Sequence, residues 1–91
     1  MSERGTEVPG LGAAVAARRE AKQLTQAELA AKVGAHVVTV CNIERGRRMP
    51  SVGALFRLAD ALGVSLDDLR AEAVKQNDAA VRRARKQNNA G

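Results

Sequence analysis

Apolar residues recur at helical spacing in five stretches of the chain, and each stretch is bounded by glycine, proline or a small polar residue. Leu11, Ala14 and Val15 share one face of the first, with Arg18, Arg19 and Lys22 around its end, where a helix dipole favours cations; a helix is predicted over Leu11–Lys22. Thr25-Gln26-Ala27-Glu28 opens the second as a capping box, in which the threonine hydroxyl and the glutamate side chain each satisfy a free backbone N–H. Leu29, Ala30 and Val33 follow at helical spacing and Gly34 stops them, so this helix runs over 26–33. Val40 and Ile43 lie three apart with Ala35 beneath them, which predicts a third helix from Val37 to Arg45 ending at Gly46. Ser51, after Pro50, caps a fourth helix carrying Leu55, Phe56, Leu58, Ala59 and Leu62, closed by Gly63. Ser65-Leu66-Asp67-Asp68 repeats the capping logic for a short fifth helix, with Leu66 and Leu69 facing inward. The predicted class is all-α.

One stretch resists this pattern. Val37, Val38, Thr39 and Val40 are β-branched, which favours a strand. Pattern outweighs propensity here, because the run is four residues long, lacks strict alternation and has no second strand to pair with. A helix that accepts such a run is expected to have a reason for it.

Outside the five helices the chain changes character. Residues 1–9 are polar, contain Gly5 and Pro9 and have no periodicity, so a flexible N-terminal arm is expected. Residues 10–71 form one domain. Residues 72–91 keep helix-forming composition but offer only Val74 and Val81 as large apolar side chains, and are expected to be a basic tail, helical or disordered, rather than a packed element. Within the fourth helix, Gly53 costs about 1 kcal/mol relative to alanine.

Charge narrows the function classes. Fifteen Lys and Arg against ten Asp and Glu leave a net charge of +5, the electrostatic footprint of a polyanion binder. Phe56 is the only aromatic residue, so stacking platforms for single-stranded nucleic acid are missing and duplex DNA is the better polyanion. A lone cysteine, Cys41, and a lone histidine, His36, provide neither a disulfide nor a zinc cluster, and no metal or cofactor is expected. The start MSERGTEVPG has no apolar core of the kind export signals carry, and no stretch is apolar enough to span a bilayer; a cytoplasmic protein that keeps off membranes is expected. No nucleophile with a base beside it, carboxylate pair or glycine-rich phosphate loop is visible, so an enzyme is not expected. A non-catalytic protein-interaction module, using the exposed valines as a contact patch, is a weaker alternative, because such a face would not require Gln26, Asn42 and three arginines around it.

A capped helix, a glycine turn and a second short helix leading into a basic loop form the arrangement that lays one helix in the DNA major groove while its partner braces across the backbone. The residues that fill it are more specific than the arrangement. Leu24-Thr25-Gln26-Ala27-Glu28-Leu29-Ala30, Gly34, Asn42-Ile43-Glu44-Arg45-Gly46, Pro50-Ser51 and Leu58-Ala59-Asp60-Ala61-Leu62-Gly63-Val64 together resemble the phage-repressor and Cro-type helix-turn-helix family, also called XRE. The resemblance covers Leu11 to Leu69, about two-thirds of the chain. It implies a compact, lambda-repressor-like five-helix bundle in which 25–33 is the bracing helix and 36–45 the recognition helix.

The same resemblance implies roles for individual residues. Gln26 matches the family glutamine that touches a phosphate while steadying the recognition helix, and Arg19 and Glu44 match a structural pair bridging the first helix to the end of the third. Arg45, Arg47 and Arg48 fall where the family sets its loop against the sugar-phosphate backbone, a task suited to the bidentate guanidinium. Base reading is expected from His36, Val37, Val38, Thr39 and Asn42 on the outward face, with Val40 and Ile43 in the core. Asn42 is the sharpest of these, since an amide grips adenine N6 and N7 as a pair. Four positions depart from the family pattern. His36 stands where a serine cap is frequent, Cys41 where a small serine is common, Arg18 where an aliphatic residue is usual and Gln23 where glycine ends the first helix.

The function this implies is a sequence-specific, double-stranded-DNA-binding transcription regulator, a repressor of the Cro or immunity-repressor type that binds a palindromic operator as a homodimer. Two related settings carry the same signature: a restriction-modification controller, and an antitoxin that represses its own operon and engages a protein partner, for which the C-terminal tail is available.

Overall fold

The capping residues set the helix boundaries. In the computed structural model, which describes residues 8–90 and the side chains through residue 87, α1 spans Leu11–Ala21, α2 Gln26–Val33, α3 Val37–Glu44, α4 Val52–Leu62 and α5 Leu66–Ala90. No strand occurs among the described residues. Residues 1–7 of the expected arm, and Gly91, lie outside the described residues.

Each cap works as its chemistry dictates. At α2, the Glu28 N–H donates to Thr25 Oγ1 at 3.0 Å and the Thr25 N–H donates to Glu28 Oε1 at 2.8 Å. At α4, the Ala54 N–H donates to Ser51 Oγ at 3.1 Å. At α5, Ser65 and Asp68 exchange bonds of 3.0 and 3.2 Å in the same reciprocal manner. Gly34 ends α2 at φ 71°, in the left-handed region, which turns the chain sharply enough to start α3 three residues later.

The core is formed by one stripe from every helix. Leu11, Ala14 and Val15 of α1 meet Leu29, Ala30 and Val33 of α2, Val40 and Ile43 of α3, Leu58 and Leu62 of α4, and Leu69 and Ala73 of α5. Phe56, the largest apolar side chain, is 51% exposed. It lies off the 55–58–59–62 face that α4 turns inward.

Three expectations are corrected. α1 ends one residue early, at Ala21, because Gln23 adopts φ 59° and stops the helix in the role that glycine fills elsewhere. Leu66 does not face inward: it is 38% exposed at the first turn of α5, while Leu69 is 1% exposed. The fifth helix is not short, for α5 runs 25 residues without a break. No Gly or Pro interrupts residues 66–90, and Ala, Arg, Lys, Gln and Glu are strong helix formers. Tertiary contact fixes its first half. Ala73 is buried, and Arg18 Nη2 reaches Glu72 Oε1 at 3.4 Å, so the arginine that departs from the family's aliphatic pattern ties α1 to α5. Gln76 Nε2 donates to Glu72 Oε2 at 2.8 Å and completes this clamp.

Glycines bring three backbones together at one edge. A β-carbon at Gly10 would collide with the Ala73 carbonyl of α5, and one at Gly12 would collide with the Ile43 and Glu44 carbonyls of α3. The amino end of α1 is therefore wedged between the end of α3 and the middle of α5.

Candidate nucleic-acid interface

The third helix is held by its last residue. Glu44, whose side chain is 6% exposed, accepts from Arg19 Nε at 2.7 Å and Arg19 Nη2 at 3.2 Å, a bidentate pair. Gln26 Nε2 donates to Glu44 Oε1 at 2.9 Å, and Arg19 Nη1 donates to the Leu24 carbonyl at 2.8 Å. One carboxylate thus joins α1, the start of α2 and the end of α3. The hydrogen bonds that Arg19 donates to Glu44 raise the Arg19 pKa above its ordinary value, against the opposing effect of partial burial. Both charges are satisfied where they lie, which fixes the angle between α2 and α3.

With its carboxyl end clamped, α3 sorts its residues by side. Val40 and Ile43 are buried in the core. Val38, Asn42 and Arg45 follow at i, i+4 and i+7 and form the stripe turned furthest from that core. Val38 is 64% exposed and Val37 44% exposed. Within that stripe Asn42 is half-buried; Thr39 on the flank and Cys41, with a free thiol, are likewise half-buried, and His36 is exposed. His36 is the N-cap of α3, in extended backbone, but its side chain makes no capping bond, so imidazole does not replace the hydroxyl that a serine would supply.

The loop after α3 carries the charge. Arg45, Arg47 and Arg48 are all exposed. The N–H groups of Arg47 and Arg48 donate to the Asn42 carbonyl at 2.9 and 3.3 Å, which folds the loop back against the end of α3. A cleft of about 580 Å³ separates this loop from the strand of chain entering α1, with residues 8–13 on one wall and 43–50 on the other. His36, Val37, Val38, Thr39, Asn42, Arg45, Arg47 and Arg48 thus lie on α3, its caps and the loop folded back against it. Gln26 is half-buried, its amide engaged with Glu44.

Two features of this region were not read from the sequence. The Arg18–Glu72 contact joins residues 54 apart, and its partner lies in a segment expected to be tail. The exposed cluster Met49, Val52 and Phe56, beside the basic loop, was also missed; the i, i+4 spacing of Val52 and Phe56 outside the core stripe was the available signal. No group of three or more metal-ligating side chains gathers among the described residues, and no described helix is long and apolar enough to cross a membrane.

Comparison with known proteins agrees with this geometry. A family model described as helix-turn-helix matches residues 15–69. An uncharacterized HTH-type transcriptional regulator of Sinorhizobium fredii is 46% identical over 55 residues, 60% of this chain and 71% of that protein. Another, of Methanocaldococcus jannaschii, is 37% identical over 51 residues, 56% of this chain and 77% of that one. Among solved structures, the clp gene regulator ClgR of Corynebacterium glutamicum matches with a TM-score of 0.75 and 32% identity, over 86% of this chain and 81% of that chain. The restriction-modification controller protein C.AhdI of Aeromonas hydrophila matches with a TM-score of 0.65 and 32% identity, over 68% of this chain and 94% of that chain. With its bracing helix, glycine turn and third helix all inside the matched region, the chain belongs to the XRE family of helix-turn-helix transcriptional regulators.

Proposed function

We propose that this protein is a sequence-specific repressor that binds a palindromic double-stranded DNA operator as a homodimer, with α3 of each copy in the major groove. The observation that carries the reading is the outward stripe of α3, Val38, Asn42 and Arg45, presented beside a loop of exposed arginines. Asn42 pairs with adenine through donor and acceptor together, and the branched methyls of Val37 and Val38 pack against thymine C5-methyl groups; His36 and Thr39 complete the base-reading set. Arg45, Arg47, Arg48 and Gln26 take the phosphates on either side, which sets register without reading sequence. Occupancy of the site excludes polymerase. The exposed Met49, at the end of the loop, and Val52 and Phe56, one turn apart on α4, are assigned to the contact with the second copy.

Footprinting on DNA flanking the gene tests this directly. A protected site with two symmetric halves about one helical turn apart is expected, and Asn42→Ala should lose ~1 to 3 kcal/mol at one base pair of each half while random duplex binds as before. Protection without symmetry, or a variant that loses operator and random DNA equally, overturns the assignment. The likeness to C.AhdI favours a second setting, a restriction-modification controller acting on its own operon. The antitoxin setting adds a protein partner and is distinguished by co-purification of that partner.

A further inference from the structure

We propose that the basic second half of α5 is an additional phosphate-binding arm that grips duplex DNA beside the site occupied by α3. The inference rests on the DNA-binding reading above and extends it to a segment outside the matched residues 15–69.

Charge distribution is the first observation. Residues 79–91 carry four cations, Arg82, Arg83, Arg85 and Lys86, and no acid; the other 11 cations of the chain face 10 anions. Four of the five net positive charges therefore sit within five consecutive residues. All four side chains are exposed, on a helix that has already left the body. The helix dipole does not account for them, because its effect falls off within the final turn and the last turn of α5 contains no cation. Arg82 and Lys86, at i and i+4, repel each other on a free helix, a cost that a polyanion would remove.

Placement is the second. α5 runs back along α1: Lys22 at the end of α1 lies against Gly63 just before α5, Arg18 reaches Glu72, and Gly10 at the start of α1 abuts Ala73 and Asn77. The remaining residues of α5 continue past the amino end of α1. That end is wedged against the carboxyl end of α3 and shares a cleft with Arg45, Arg47 and Arg48. The arm thus emerges at the edge of the molecule that carries the basic loop. A radius of gyration of 13.8 Å, against about 12 Å for a compact chain of this length, agrees with an arm standing off the body. The thirteen residues 78–90 extend for ~20 Å as a helix, enough to follow several phosphates.

Duplex DNA is favoured over the other occupants of such a helix. A second copy laid along the arm would set four cations against four. A membrane surface would need large apolar residues to enter the acyl boundary, and beyond Val81 the helix offers only alanines.

The test compares the wild-type chain with the variant Arg82→Gln/Arg83→Gln/Arg85→Gln/Lys86→Gln, which keeps strong helix formers at every position. Both are titrated by fluorescence anisotropy onto a labelled mixed-sequence duplex from about 50 to about 200 mM salt, with circular dichroism to verify equal helix content. If the arm takes two phosphates per chain, four per homodimer, the log affinity versus log salt slope of the variant should be shallower by roughly 3.6, and the wild type should lose about a hundredfold more affinity across that range. Parallel lines for the two proteins overturn the arm while leaving the DNA reading intact. A wild type that fails to bind duplex at the lowest salt overturns the DNA reading itself. Charge-dependent binding of the same four residues to phosphatidylserine vesicles, with parallel lines on DNA, assigns the arm to a membrane and overturns the proposal.

Discussion

Single residues in this protein break local rules in two different ways. Val37 and Val38 carry poor helix propensity on an exposed surface, where nothing in the fold requires a branched side chain. Replacing either with alanine should hold or slightly raise the melting temperature while weakening binding to half-sites that contain thymine; a collapse of the fold would mean that they serve the core. Gln23 breaks a backbone rule instead. Its φ of 59° is a left-handed conformation that glycine adopts without a steric cost, and no functional contact explains it. Gln23→Gly should therefore stabilise the protein by ~1 kcal/mol in chemical denaturation, with DNA affinity unchanged.

At the scale of the element, the interface depends on how α3 is clamped. Glu44 binds Arg19 twice and Gln26 once, with the Arg19 and Glu44 side chains 13% and 6% exposed. Glu44→Ala would strand a largely buried guanidinium and release the start of α2, so a loss of ~3 kcal/mol is expected in denaturant unfolding. A loss below ~1 kcal/mol would show that water takes over the carboxylate's role. α5 behaves as two halves. Leu69, Glu72, Ala73 and Gln76 belong to the packed body, and the residues after Ala80 do not. Truncation after Ala80 should leave the unfolding midpoint unchanged, whereas truncation before Glu72 should lower it sharply, because Ala73 leaves the core and Arg18 loses its partner. Equal midpoints for the two truncations would contradict this division.

For the whole molecule, the arrangement of charged and apolar surfaces matters more than their totals. Met49 lies at the end of the basic loop and Val52 and Phe56 follow it on α4, all exposed, so in the homodimer proposed above the pairing of two copies and the binding of two half-sites would be coupled. Phe56→Glu is expected to leave the monomer folded, since the ring lies half outside the core, yet to abolish pairing in sedimentation and weaken operator binding far more than binding to a single half-site. An unchanged dimer would place the second copy elsewhere.

Much of this was legible along the chain because it is encoded locally. Thr25 with Glu28, Ser51 before α4 and Ser65 with Asp68 announce helix starts through short-range hydrogen bonds, and the i, i+3, i+4 spacing of Leu29, Val33, Val40 and Ile43 announces the faces that are buried. The all-α class, the first four helices and the family follow from those signals alone. The inward face of α5, the exposed position of Phe56 and the partner of Arg18 do not, because each depends on a residue distant in sequence. Ala73 is buried only because Gly10 lets α1 approach it, and Glu72 is a clamp only because Arg18 lies opposite. Sequence determined where helices start, stop and turn their apolar sides; tertiary packing decided how far the fifth helix is held and which charges are spent inside the fold, because those outcomes rest on contacts between elements rather than on spacing within one.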